Sequence, residues 1–209
     1  MINAIVFDFG RVIANFDHMR SCHVLSSFSS LSPEQIYQEI FNSNLEKKFD
    51  QGELSPSDFY QEVRQIIKAN DKLTFTSFHE IWGNIFSENP GIRTVLEKIK
   101  PEIKIFLFSN TNEIHWHYIS QIKAIKSHFI HGKKPVLSFQ IGYRKPDPRF
   151  FQEVITRCGE KPTKILYIDD ISRYVEAFVK LGVHGIIYNC QTDPVEKLTK
   201  ELFQFNVLE

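Results

Sequence analysis

Net charge is the first thing this chain lacks. Its 25 lysines and arginines are matched by 25 aspartates and glutamates. No overall field therefore draws it to nucleic acid or to an anionic membrane surface. Cysteine is scarce as well: Cys22, Cys158 and Cys190 are odd in number, widely spaced and form no CxxC pair. That pattern excludes a disulfide framework and favours a reducing compartment. No apolar stretch approaches the roughly 20 residues that a membrane-spanning helix needs. The N-terminus has no basic segment and meets an acid at Asp8, too early for a signal peptide. Repeats and low-complexity segments are missing too. A cytoplasmic protein is expected, monomer or homodimer, with no nucleic-acid or membrane partner.

What is present is ordinary in bulk, 42% hydrophobic and 24% charged over 209 residues, enough for one domain with a sizeable core plus an insert. Nineteen phenylalanines point to aromatic packing in that core. The first apolar run, Ile2-Asn3-Ala4-Ile5-Val6-Phe7, reads as a buried strand that delivers Asp8 to its C-terminal edge. A helical stretch follows. Ser32-Pro33-Glu34 and Ser55-Pro56-Ser57-Asp58 are helix starts, each with an N-cap and a proline at the first helical position. Phe78, Ile81, Trp82, Ile85 and Phe86 form a further apolar stripe, read as the core of this helical part, and no strand is expected between about Ala14 and Ser87.

Beyond Asn89-Pro90-Gly91 strands and helices alternate. Strands are expected at Ile103–Phe108, Val136–Phe139, Lys164–Ile168 and Gly185–Tyr188. Helices are expected from Ile92 to Ile99, through His115 to Ile122, from Pro148 to Cys158, after Asp169-Asp170 to Leu181 and from Pro194 onward. The pattern predicts an α/β fold, a mostly parallel sheet with helices on both faces, the helical stretch being an insert after the first strand that caps the sheet's C-terminal edge.

Three strands then end in polar residues on one edge: Asp8, Ser109-Asn110-Thr111 and Asp169-Asp170, with Arg144-Lys145-Pro146 in a loop between the last two. The C-terminal edge of such a sheet is where ligands bind. Aspartate can attack phosphorus to form an aspartyl phosphate. Converging carboxylates call for a cation, and hard oxygen ligands suit Mg²⁺. A hydroxyl with backbone N–H groups at a helix start can hold phosphate oxygens, and a lysine can neutralise both nucleophile and phosphoryl charge.

Asp8, Ser109, Lys145-Pro146 and Asp169-Asp170, in that order and each at its strand end or loop, resemble the haloacid dehalogenase-like hydrolases. The likeness runs from about Ile5 to Tyr188. Asp8-Phe9-Gly10-Arg11-Val12-Ile13, Phe49-Asp50-Gln51-Gly52-Glu53-Leu54-Ser55, Leu107-Phe108-Ser109-Asn110-Thr111-Asn112 and Gly142-Tyr143-Arg144-Lys145-Pro146 look like the helical-cap branch that includes the bacterial α-D-glucose-1-phosphate phosphatase. The resemblance implies a Rossmann-like catalytic core from residues 1–14 and 88–209, with a helical cap from 15–87. It implies Asp8 as nucleophile and metal ligand, the Gly10 carbonyl and Asp170 as further Mg²⁺ ligands, and Asp169 as a ligand directly or through water. Ser109 and the Asn110 N–H would hold the phosphoryl oxygens, Lys145 would bridge Asp8 and phosphate, and Arg11 would contact substrate or cap. A Mg²⁺-dependent phosphatase of a small phosphorylated metabolite, sugar phosphates first, is the expected activity.

At Gly10 the chain departs from the family, most phosphatases of which carry a second aspartate there as general acid and base. Such a group is worth about 10²–10⁴-fold. A phosphate on an anomeric carbon is a better leaving group and depends on the acid less. His18 and His23 are the candidates for a substitute acid, and His115 and His117 are expected at the surface or an edge. His128, His131 and Lys133-Lys134 are expected to be solvated in a loop, and Cys22 buried. Two rivals remain at this stage. One is a metal-independent 2-haloacid dehalogenase, which the missing acid permits and the Asp169-Asp170 pair opposes. The other is a catalytically weak phosphate-binding or regulatory protein.

Overall fold

In the computed structural model, which describes residues 1–130 and 135–209, five parallel strands form the central sheet. They are β1 (Ala4–Phe7), β4 (Lys104–Ser109), β5 (Val136–Leu137), β6 (Ile165–Asp169) and β7 (His184–Ile187), in the order β5-β4-β1-β6-β7. β1 is central because it is buried on both faces. Its side chains alternate between two apolar clusters, Ile5 and Phe7 in one, Ala4 and Val6 in the other. β6 repeats the alternation, with Leu166 and Ile168 against Ile165 and Tyr167. In register, Phe7 lies beside Leu107 of β4 and Ile168 of β6. The residues that follow these strands therefore emerge side by side.

Five helices occupy the insert: α1 (His18–Ser26), α2 (Pro33–Phe41), α3 (Leu45–Asp50), α4 (Pro56–Ile66) and α5 (Phe75–Gly83). Two start where the sequence signals them. Ser32 and Ser55 each accept a hydrogen bond from the backbone N–H three residues on, with a proline at the first position. The insert has an apolar cluster of its own, to which Cys22, Phe59, Phe78 and Trp82 belong.

Its two ends correct one expectation. β2 (Ala14–Phe16) and β3 (Phe86–Glu88) pair antiparallel, Phe16 opposite Phe86, where no strand was expected. Three residues are too few to show a period, and each strand exists only because its partner returns about seventy residues later.

The remaining helices are α6 (Ile92–Glu97), α7 (Glu113–Ile119), α8 (Lys123–His128), α9 (Ser138–Ile141), α10 (Pro148–Cys158), α11 (Ser172–Val179) and α12 (Val195–Gln204). The helix expected through His115 to Ile122 is α7, which stops at Ile119, and α8 follows in a stretch where no helix was expected. The break between them comes where Ile122 turns extended (φ −60°, ψ 132°), with no glycine or proline to announce it. The strand expected at Val136–Phe139 stops after Leu137. The Ser138 hydroxyl both donates to the Thr111 carbonyl and accepts from the Thr111 N–H, which anchors the start of α9. His128 closes α8, and His131, Lys133 and Lys134 lie outside the described residues. Among the described residues no helix is long and apolar enough to cross a membrane.

Candidate active site

The central strands deliver three carboxylates to one point. Asp8 follows β1, Asp169 ends β6 and Asp170 comes next, and each offers an oxygen within 4.8 Å of the others. Lys145, 3% exposed, reaches into this group from the loop before α10. Its Nζ donates to Asp8 Oδ1 and Asp169 Oδ2, both at 2.6 Å, and to the Tyr167 hydroxyl at 3.2 Å. The Asn110 side chain fixes the loop, donating to the Lys145 carbonyl (3.2 Å) and accepting from the Lys145 N–H (2.8 Å). Asp169 is further engaged by the Tyr167 hydroxyl and by the Ile171 N–H at 2.8 Å. Asp170 has Arg11 as its charged neighbour, at 3.9 Å.

One ammonium among three carboxylates leaves negative charge in excess. Burial raises the Asp8 carboxyl above its ordinary value, Asp169 and Asp170 add to the rise, and Lys145 opposes it. Asp170 is pushed up to about 6, by burial first and then by Asp169. Burial works against charge on Lys145, yet Asp169 and Asp8 outweigh it and hold the lysine firmly protonated. A bound divalent cation would relieve these repulsions, and an all-oxygen donor set suits Mg²⁺. The residues present fit that ion.

Ser109, at the end of β4, is buried beside Asp8 in the same cavity. The turn from Phe9 to Ala14 is drawn tight, with Arg11 in the left-handed region at φ 56° and its N–H on the Ala14 carbonyl at 2.7 Å. Arg11 lies over the Phe16 ring, 5.2 Å from its centroid. Gly10 faces the same ring: a Cβ there would sit 2.9 Å from Phe16 Cε1 and 3.8 Å from Asp8 Oδ2. The place a second acid would start from is filled by an aromatic ring.

All eight residues singled out from the sequence, Asp8, Gly10, Arg11, Ser109, Asn110, Lys145, Asp169 and Asp170, line one cavity of about 220 Å³. The insert closes its other side with Phe16, His18, Glu46, Asp50 and Phe86. His18 reaches the cavity, as a substitute acid should, whereas His23 is exposed and does not. Burial pushes His18 down to about 4, so near neutrality it carries no proton to give. His115 is not at the surface. It is 5% exposed, lies flat against Trp82 with centroids 5.8 Å apart, and is held neutral by burial. His117, two residues on, is exposed as expected, and Cys22 is buried.

Sequence reasoning gave no role to Glu46, Asp50, Arg144 or Tyr167. Asp50 and Arg144 did stand inside the quoted family motifs, which was the available signal. Asp50 accepts from the Asn112 side chain at 3.0 Å and faces Arg144 at 3.6 Å.

An α/β sheet carrying a buried aspartate, a shared lysine and an acidic pair at its C-terminal edge is the setting of a hydrolase. Residues 2–182 match the family of haloacid dehalogenase-like hydrolases, and the chain belongs to it. It is 24% identical over 190 residues to the D-ribitol-5-phosphate phosphatase of Bacteroides thetaiotaomicron, covering 87% of this chain and 89% of that relative. It is 25% identical over 199 residues to phosphatase MT3486 of Mycobacterium tuberculosis, covering 89% and 87%. Among solved structures it is similar to a family enzyme of B. thetaiotaomicron complexed with magnesium and inorganic phosphate. The TM-score is 0.80 and the identity 19%, over 94% of this chain and 99% of that one.

Proposed function

We propose that the chain is a Mg²⁺-dependent phosphatase of a small phosphorylated metabolite, sugar and polyol phosphates first, with the helical insert acting as a cap over the site. The convergence of Asp8, Lys145, Asp169 and Asp170 carries this reading. The phosphatase names of the relatives support it. Asp8 attacks phosphorus as the ester P–O bond breaks and the alcohol leaves, taking its proton from solvent, and water then hydrolyses the aspartyl phosphate to release inorganic phosphate and restore the Asp8 carboxylate. Lys145 offsets charge on Asp8 and on the phosphoryl group. Ser109 Oγ and the Asn110 N–H hold phosphoryl oxygens, while the Asn110 side chain keeps Lys145 in place. Asp8, Asp170 and the Gly10 carbonyl would hold the cation. Asp169, whose oxygens already take Lys145, Tyr167 and Ile171, would act on it through water. When bound, Mg²⁺ supplies a Lewis acid for a phosphoryl oxygen.

A metal-independent dehalogenase would have no use for the second and third carboxylates. Phosphate release from p-nitrophenyl phosphate and a panel of sugar phosphates, with Mg²⁺ and with EDTA, tests the proposal. Release should require the metal and fall at least about 10³-fold in Asp8→Asn. Turnover that survives either change sinks it.

A further inference from the structure

The polar atoms on the insert side of the cavity are only partly paired among themselves, Asp50 and Arg144 forming an ion pair at 3.6 Å. Glu46, on α3, lines it with no hydrogen-bond or ion-pair partner within 3.5–4.0 Å among the described residues. Asp50 places Oδ1 on Asn112, but its Oδ2 is 3.6 Å from the Arg144 guanidinium, beyond hydrogen-bond length. Arg144 Nη1 is buried with no acceptor, and the Thr111 hydroxyl, in a residue 3% exposed, has no partner either. All four residues line the cavity that holds Asp8 and Lys145. Folded proteins rarely leave buried donors and acceptors unmatched, so Arg144 Nη1 and the Thr111 hydroxyl, beside the half-buried Glu46 carboxylate, mark where a ligand completes the bonding.

The donors and acceptors alternate in kind: two carboxylates accept, a guanidinium donates, and a threonine hydroxyl does both. We propose that Glu46, Asp50, Arg144 and Thr111 form a hydroxyl-binding subsite that selects phosphate esters bearing several hydroxyl groups, with Glu46 as the specificity-determining residue. The hydroxyls of a polyol donate to Glu46 and Asp50 while accepting from Arg144. A carboxylate-bearing ester meets two carboxylates against one guanidinium, and an apolar ester leaves every atom unmatched. At about 220 Å³ the cavity is small beside the roughly 300–1,000 Å³ of drug-sized sites, which suits a compact phosphate ester. The assignment rests on the phosphatase reading for its phosphate end and on these atoms for the other.

Calorimetry on the Asp8→Asn protein with Mg²⁺ reads the subsite without turnover. A pentitol phosphate should bind at least about tenfold tighter than propyl phosphate, the effect of one or more hydrogen bonds to a charged group. Adding Glu46→Gln should remove most of that difference while propyl phosphate affinity changes less. Equal affinity for the two esters, no binding of either, tighter binding of phosphoglycolate or phosphoethanolamine, or a preference unchanged by Glu46→Gln would each overturn the proposal. Wild-type turnover is read separately. A protein that prefers the pentitol phosphate but hydrolyses nothing refutes the phosphatase and leaves the subsite standing.

Discussion

At Gly10 a missing side chain and a present one explain each other. The Phe16 ring stands 2.9 Å from where a Cβ would be, so an aspartate at 10 requires the ring to move. Gly10 and Phe16 are therefore one feature, and restoring the acid means changing both. Gly10→Asp with Phe16→Ala should raise kcat on an alkyl phosphate by up to about 10²-fold, the lower end of what a positioned acid and base contributes. On p-nitrophenyl phosphate, whose leaving group needs no proton, the gain should be smaller, since only the base for the hydrolytic water acts there. Gly10→Asp alone should gain less and melt lower, because the ring still fills the space. Stopped assays on the two esters decide it: an equal gain on both, or a full gain from the single variant, would show that Phe16 does not exclude the acid. From the sequence, Gly10 could be seen as a departure because it sits two residues after Asp8. The ring against it could not, because Phe16 reaches it through β2, a strand with no signal of its own.

Between elements, an aromatic seam joins the insert to the sheet domain. His18 on α1 lies 4.6 Å from Phe41 and 5.1 Å from Phe16, and 5.9 Å from His115 of α7, which stacks on Trp82 of α5. Asn112 starts α7 by accepting from the His115 N–H (2.9 Å) and also donates to Asp50 of the insert (3.0 Å). The helix starts at Ser32 and Ser55 were legible because a cap is written in adjacent residues. The burial of His115 was not, because what covers it comes from α5, more than thirty residues earlier in the chain. Its spacing from His117 was read correctly as divergent, and only the covered face was misassigned. The seam has a consequence for acid stability. Burial depresses His18 to about 4, while Asp17 opposes and Arg11 adds to the shift. An unfolded imidazole takes up its proton near 6.5. Between these values the unfolded chain binds the extra proton, so the His18 contribution is complete above about pH 6.5 and is lost as pH falls toward 4. The loss amounts to about 3 kcal/mol, or on the order of 5–10 °C in Tm for a chain of this size. The raised carboxyls of Asp50 and Glu46 titrate with the opposite sign in the same range, so the measurement must be a difference. Melting of wild type against His18→Phe from pH 7 to pH 4.5 should show the wild type losing ground steadily. A constant difference would mean that the fold leaves the imidazole's titration where the unfolded chain has it.

Over the whole molecule, 25 positive and 25 negative residues cancel, yet the charges are not evenly spread. The edge of the sheet gathers Asp8, Asp169 and Asp170 around the single ammonium of Lys145. Sequence order sufficed to place the three acids together, since parallel strands that end in acids must present them on the same edge, whereas Lys145 comes from a loop and was placed by the family resemblance. The fold therefore carries a local repulsion that a bound cation would relieve, and stability should report the cation whether or not any substrate turns over. A ligand that binds only the folded state stabilises it by about 2.7 kcal/mol when present at 100 times its dissociation constant. For a domain of 150–250 residues that corresponds to a rise of roughly 5–10 °C in Tm. Scanning calorimetry of the full chain, first with EDTA and then with saturating Mg²⁺, should show a rise of this order. Asp170→Asn removes one of the carboxylates that repel the others, so its EDTA-treated form should melt no lower than wild type. The same variant should lose most of the Mg²⁺-dependent rise, because Asp170 is the carboxylate least engaged by neighbouring donors. A wild type indifferent to Mg²⁺, or a variant that keeps the full rise, would place the cation elsewhere and leave the three carboxylates without the role assigned to them.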